Sequence, residues 1–263
     1  MNAIAPAAQL ETTTLFRPDL VTIENLQVRF GDVVAVEGLD FTVRRGEFVS
    51  LLGPSGCGKS TLLRAIARLV PVTSGRVLLR DPNLRIGFMF QKPLLLPWRT
   101  TLDNVLLPVE IQLGGSVVDQ TDHARARRLL DMVQLSDFVD AYPHQLSGGM
   151  QQRAALARAL MGDPDVLLLD EPFGALDELT REVLNEELIH IWQSRETRLH
   201  TILMVTHSIP EAVTMSDRVI VLTDRPARLV EDVEVRCPRP RTPDDPEGVF
   251  VMKHIRAMVR GRR

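Results

Sequence analysis

Nine residues, Gly53-Pro54-Ser55-Gly56-Cys57-Gly58-Lys59-Ser60-Thr61, constrain this chain more than any others. They follow Phe48 to Leu52, a short apolar run that reads as a buried strand, and they lead into Lys59 to Leu69, which reads as a helix. Glycines placed between strand and helix let backbone N–H groups turn inward around a phosphate, and the helix start adds partial positive charge. Lys59 then reaches the outer phosphate oxygens and the Ser60 hydroxyl suits Mg²⁺. The chain carries only three lysines, Lys59, Lys92 and Lys253, which makes one at this position less casual. A strand, a glycine-rich turn and a helix in this order predict an α/β chain.

The remaining pattern fits that class. Strands are expected over Val21–Phe30, Val34–Val43, Val77–Leu79, Ile86–Phe90, Val166–Leu169, Ile202–Val205 and Val219–Leu222. The stretch from Thr101 to Met161 lacks strand runs and spaces Leu129, Leu130 and Val133 as a helix does, so a helical insertion is expected there. Leu179, Val183, Leu188 and Ile191 predict an amphipathic helix, and Val249 to Val259 a short closing one. Residues 1–20 read as a loose tail, residues 21–240 as the folded unit, and residues 241–263 as a C-terminal tail.

Length and charge exclude several classes. With 263 residues, 31 basic against 34 acidic side chains and a net charge of −3, the chain has no net positive field for nucleic acid. Its two cysteines make no disulfide framework, no run approaches the ~18 apolar residues of a membrane span, and Met1 to Leu20 lacks the marks of a signal peptide. A cytosolic chain that docks on something else is the expectation.

Val166-Leu167-Leu168-Leu169-Asp170-Glu171 supplies a partner for the glycine-rich turn. A buried strand ending in two carboxylates sets Asp170 near Mg²⁺ and Glu171 near the outer phosphate, where it can orient or deprotonate a water. Leu146-Ser147-Gly148-Gly149-Met150-Gln151-Gln152-Arg153 is a second phosphate-ready helix start, a serine able to cap followed by two glycines. Two such starts in one chain mean either one nucleotide held by both or sites shared between chains.

These segments together resemble the ATP-binding cassette (ABC) proteins, in which a signature motif like Ser147 to Gly149 occurs with a P-loop and an acidic strand end, in this order. The resemblance runs from about Val21 to Pro240. It implies a P-loop core with a mostly parallel sheet, an N-terminal antiparallel β subdomain and an inserted helical signature subdomain over about residues 101–161. It also matches Phe30 to the residue that stacks on adenine, Gln91 to the glutamine after the strand Ile86–Phe90, Asp177 to the acid of the loop after Glu171, and His207 to the switch histidine. Taken singly, each has a plainer reading. Phe30 can end a strand in the core, Gln91 can sit in a solvated loop, Asp177 can favour a helix dipole, and His207 can cap the helix near Ser208.

The resemblance implies that Lys59, Gln91, Glu171 and His207 carry hydrolysis and that Ser60, Gln91 and Asp170 hold Mg²⁺. ATP then rests on Phe30, on Gly53 to Thr61, and on Ser147, Gly148 and Gly149 of a second copy. Cys57, inside the loop, has no chemical role, and its thiol is expected to be open to a maleimide that ATP shields. No guanine-reading Asn-Lys-x-Asp segment, long coiled coil or second cassette is present, which leaves the motor of a membrane transporter. Asp170 to Asp177, Leu95-Leu96-Pro97-Trp98-Arg99-Thr100 and Pro238 to Arg241 look like importers of nitrate, sulfonates and taurine, with a cationic or vitamin-like solute, an exporter or a non-transport ATPase as alternatives. The implied partners are a second copy, a permease docking near Gln91 to Thr100 and, indirectly, a solute-binding protein, with the chain peripheral on the cytoplasmic face of the membrane.

Overall fold

β1 (Asp19–Phe30) and β2 (Val33–Arg44) pair antiparallel. They belong to a computed structural model that describes residues 17–114, 117–174, 176–194, 197–242 and 244–260. The chain then forms β3 (Phe48–Leu52), a turn, α1 (Lys59–Ile66) and β4 (Ser74–Leu79), which returns antiparallel to the other side of β1. The result is a three-stranded antiparallel sheet in the order β2-β1-β4.

The second sheet holds β5 (Ile86–Met89), β6 (Val166–Asp170), β7 (Thr201–Thr206), β8 (Arg218–Leu222) and β9 (Leu229–Glu234) together with β3, in the order β5-β6-β7-β3-β8-β9. All neighbours run parallel except β9, which is antiparallel to β8. Its apolar strands are covered on both faces, as continuous hydrophobic runs require. Side chains alternate between two cores: Leu167, Leu169, Ile202 and Met204 pack towards the helical side, while Val166, Leu168, Leu203 and Val205 pack with α1 and the three-stranded sheet.

Between β5 and β6 lies the helical insertion: α2 (Thr101–Gln112), α3 (Gln120–Met132) and α4 (Gly148–Met161). Thr100 opens α2 with a capping box to Asp103, which fixes the helix start. α5 (Glu178–Gln193) follows β6, α6 (Ile209–Met215) follows β7, and α7 (Pro246–Arg260) packs on α6 through Met252 and Ile255. The expected α/β fold, with its antiparallel subdomain and helical insertion, is the fold observed.

Four local expectations need correction. β1 begins at Asp19, and Leu20 is buried in it, so the fold takes in residues assigned to the tail; residues 1–16 lie outside the described ones. α1 stops at Ile66 rather than Leu69, because Arg68 turns left-handed with φ +58° while Leu69 N–H closes on Arg64 O. On α5 the buried stripe is Leu184, Leu188 and Ile191, whereas Leu179 and Val183 are exposed. β9 has no counterpart in the expected strands: Leu-Val-Glu-Asp-Val-Glu is an edge strand with little to bury, and Asp232 in it takes an ion pair from Arg218 of β8.

Candidate functional site

Parallel strands deliver their C-terminal ends to one edge of the sheet, and loops at that edge gather the side chains of interest. The turn after β3 is Gly53 to Gly58, and α1 begins at Lys59 with no side chain capping Gly58. No side chain therefore stands between an anion and this helix start, although Lys59 N–H also bonds the Cys57 sulfur. Gly58 has φ +127°, and a Cβ there would meet Ala35 O at 2.3 Å, so the turn closes against β2 only with glycine. Ser55 and Gly56 face solvent, Pro54 is half-buried, and Thr61 lies one residue further along α1. The buried Lys59 bends back, its Nζ donating to Gly53 O and Pro54 O at 2.7 Å each. An ammonium held only by loop carbonyls inside the turn is placed to exchange them for phosphate oxygens.

Ser60 Oγ donates to Asp170 Oδ1 at 2.6 Å, joining α1 to the end of β6. The Asp170 carboxylate is fully buried. Burial pushes its pKa above the ordinary carboxylate value, an effect opposed by the Ser60 hydrogen bond and the Arg64 charge and reinforced by Glu171. Oδ2 has no hydrogen-bond partner, though Arg64 Nη2 stands 3.5 Å away. A buried carboxylate with an unpartnered oxygen beside a hydroxyl is a hard-oxygen donor set, which fits Mg²⁺. Among the described residues no three His, Cys, Asp or Glu side chains cluster into a metal cage.

Glu171 adopts a left-handed backbone, φ +47°, at a cost of about 1–3 kcal/mol for a non-glycine residue. The turn sets its carboxylate between two neighbours. Gln91 Nε2 donates to Oε2 at 3.3 Å, and His207 Nδ1 is 3.5 Å from the same oxygen. His207 itself is exposed and does not cap α6; Ser208 does, accepting from Glu211 N–H, while Thr206 Oγ1 accepts from Ser208 N–H and donates to Glu211. Burial raises the pKa of Glu211, with Thr206, Arg181 and His207 pulling the other way.

Phe30 is 49% exposed at the end of β1, which rules out the core reading. Asp177 caps α5 by accepting from Thr180 N–H at 3.0 Å, and this hydrogen bond holds its pKa low. Ala175, beside it in the expected loop, lies outside the described residues.

Ser147 caps α4, accepting from Met150 N–H at 3.2 Å, and a Cβ on Gly148 would meet nothing within 4 Å. Ser147 and Gly148 are exposed, and among the described residues no hydrogen bond links them to the turn at Gly53–Ser60. The second phosphate-ready helix start thus faces outward.

Three further residues, to which the sequence assigns no role, organise this edge. Gln152 Nε2 donates to Gln91 O at 2.7 Å, and Arg158 donates to Leu94 O and Pro93 O, so α4 holds the loop after β5. Buried Asn104 accepts from Leu96 N–H and donates to the carbonyls of Leu96, Arg99 and Thr100. Trp98, on the loop so braced, is 71% exposed. A polar residue on the apolar face of α2 was the one available clue to Asn104.

Comparison with known proteins agrees with this geometry. Residues 36–174 match the ABC transporter family. An uncharacterised ABC transporter ATP-binding protein of Methanocaldococcus jannaschii is 46% identical over 228 residues, covering 83% of this chain and 83% of the relative. An aliphatic sulfonates import ATP-binding protein of Mesorhizobium japonicum is 44% identical over 239 residues, covering 90% of this chain and 85% of the relative. Among solved structures, a dimeric ATP-binding cassette in a post-hydrolysis state bound to ADP and Pi superposes with a TM-score of 0.72 at 32% identity, covering 83% of this chain and all of that one.

Cys57 departs from its expectation. Its side chain is 2% exposed and lies under the turn, where a Cβ on Gly53 would come within 3.2 Å of its sulfur. Burial also raises the thiol pKa, against the pull of Lys59, so the reactive thiolate is scarce. Iodoacetamide should alkylate Cys57 in the native, nucleotide-free protein at least an order of magnitude more slowly than in the urea-unfolded chain, read by peptide mass spectrometry. Equal rates would show the thiol lying open on the loop.

Proposed function

The chain belongs to the ABC transporter family and is an ATP-binding ATPase cassette; on that premise we propose that it powers uptake of a small sulfonate-, nitrate- or taurine-type solute through a separate permease. The observation that carries the hydrolytic part is the Glu171 carboxylate, held between Gln91 and His207 beside the Ser60–Asp170 pair. Lys59 exchanges its carbonyl partners for the β- and γ-phosphate oxygens, and α1 presents N–H groups to the same phosphates. Ser60, Asp170 and the Gln91 amide oxygen would hold Mg²⁺, which would supply positive charge to offset the phosphates' negative charge. Glu171 takes the proton of the attacking water, and His207 positions that water and the γ-phosphate. Phe30 stacks on adenine.

Ser147, Gly148 and Gly149 complete the site of a second copy, each chain lending its outward helix start to the other's γ-phosphate. The exposed Gly148 and the dimeric cassette among the solved structures support this arrangement. Nucleotide then drives closure because it binds the closed pair better than the open one. The cassette begins with β1 at Asp19 and runs to about residue 240, with α2 to α4 as its helical subdomain and α7 following it.

The solute class rests on the name of the sulfonate-importing relative and on the segments Leu95–Thr100 and Pro238–Arg241. Among the described residues no helix is long and apolar enough to cross a membrane, in keeping with a permease in another chain. Docking is assigned to Gln91–Thr100, with Trp98 as an aromatic anchor, and sets the chain on the cytoplasmic face of the membrane. A solute-binding protein acts on the permease from the far side.

Glu171→Gln should retain ATP binding and lose hydrolysis by about 10²–10⁴-fold, since the amide keeps the shape and cannot take the proton. Fluorescent-nucleotide titration with a phosphate-release assay separates the two, and normal turnover would remove Glu171 from this role.

Trp98→Ala should leave nucleotide affinity of the isolated chain unchanged. In cells expressing the complete transporter, the fraction sedimenting with membranes should fall. An unchanged membrane fraction would remove Trp98 from docking.

A further inference from the structure

At the opposite edge of the parallel sheet, where β3, β6 and β7 begin, the chain forms a cleft of about 730 Å³ that the nucleotide chemistry does not use. Arg17, Arg45, Arg198 and Arg239 line it, with Asp165 as the one lining carboxylate among the described residues. Asp165 is engaged, accepting from Arg198 at 3.1 Å and from Arg85 N–H at 3.0 Å. Asp217, behind the wall, serves two guanidiniums at once, Arg17 at 3.2 Å and Arg239 at 2.6 Å. Two carboxylates thus engage three of the four cations, and Arg45 makes no side-chain hydrogen bond or ion pair among the described residues.

The wall is built rather than incidental. Trp192 is pinned by its Nε1–H to His200 O at 2.8 Å, and the Arg239 guanidinium lies over its ring, 4.9 Å from the centroid. Arg239 is further held by Met215 O at 2.5 Å. Its Nε is nonetheless buried without a partner, and so is the hydroxyl of Thr197 on the same cleft. Leaving buried donors unpaired is costly, and like charges gathered without counter-charge repel. A fixed, desolvated guanidinium with an unpartnered Nε, set beside the exposed and unpaired Arg45, is an arrangement that takes a tetrahedral oxyanion through charge-assisted N–H···O bonds.

We propose that this cleft binds a tetrahedral oxyanion (sulfate, phosphate, or the sulfonate or phosphate group of a small organic acid) through Arg45, Arg198 and Arg239, as a site separate from the nucleotide. His200 also lines the cleft, its Nδ1 engaged with Thr201 Oγ1 at 2.7 Å; burial and the charges of Arg45 and Arg198 lower its pKa against the pull of Asp165.

The test titrates the full-length chain calorimetrically with sodium sulfate, sodium phosphate or sodium ethanesulfonate. The protein is first saturated with Mg-ADP so that the turn at Gly53–Ser60 is filled, and ionic strength is held at about 0.15 M with chloride. At least one of the three should bind saturably at one per chain, and the strongest identifies the source of the oxyanion. Arg45→Gln should weaken that binding about tenfold, the loss expected for one charge-assisted contact, and Arg45→Glu should abolish it. Because Arg45 is exposed and unpaired, both variants should keep the parental melting temperature and Mg-ADP affinity. No saturable binding by any of the three anions, or equal affinity in Arg45→Gln, would overturn the proposal.

Discussion

Asp170 ends β6 with its carboxylate buried, and one oxygen takes a 2.6 Å hydrogen bond from Ser60 at the first turn of α1. That contact joins two segments 110 residues apart and decides how the glycine-rich turn faces the end of the sheet. Much of the remaining architecture serves it. β3 and β6 must run parallel with β7 between them, so that the turn and the acidic pair emerge at one edge. The intervening chain must leave that edge, form the helical insertion and return. The cost of burying Asp170 is tolerated because Ser60 and Arg64 offset part of it, and on the proposed reading Mg²⁺ offsets more.

α4 reaches the same edge from another direction. Its first residues face outward, towards a second copy on the proposed reading, while Gln152 and Arg158 further along hold the backbone of Gln91, Pro93 and Leu94. Gln91 in turn touches Glu171, and the loop beyond it carries the exposed Trp98. On the proposed reading, a shift of α4 would be felt through these bonds by the loop assigned to docking and by the residue beside the proposed base. On the proposed reading, these contacts couple closure of two cassettes to movement of a permease.

The phosphate-binding turn, the acidic strand end and the outward helix start were legible because each needs particular residue types at fixed spacing. Strands covered on both faces were legible as unbroken apolar runs. What escaped lacked such a local mark. β9 is an edge strand whose alternation is masked by the charges it shows to solvent, and the end of α1 is set by a left-handed arginine rather than a glycine. Leu179 and Val183 satisfy helical spacing, yet the tertiary contacts of α5 choose Leu184, Leu188 and Ile191 instead. Cys57 reads as part of an open loop, but its side chain points under the turn, a matter of backbone direction that spacing does not carry. Gln152 and Arg158 act through backbone carbonyls more than sixty residues away, and Asn104 through those of the loop just before its helix, pairings that spacing alone does not encode.

The central claim, that a working site takes its P-loop from one chain and Ser147–Gly149 from another, is tested most directly by mixing two inactive variants. Lys59→Ala lacks a working P-loop and keeps its helix start, and Ser147→Arg has the reverse defect. Each alone should be silent in a phosphate-release assay. Mixed in equal amounts above the dimerisation concentration, they should recover hydrolysis, because the mixed pair contains one site with both parts intact. If the mixture stays as silent as its components while size-exclusion chromatography shows mixed pairs forming, the helix start serves its own chain's nucleotide and the shared-site account is wrong.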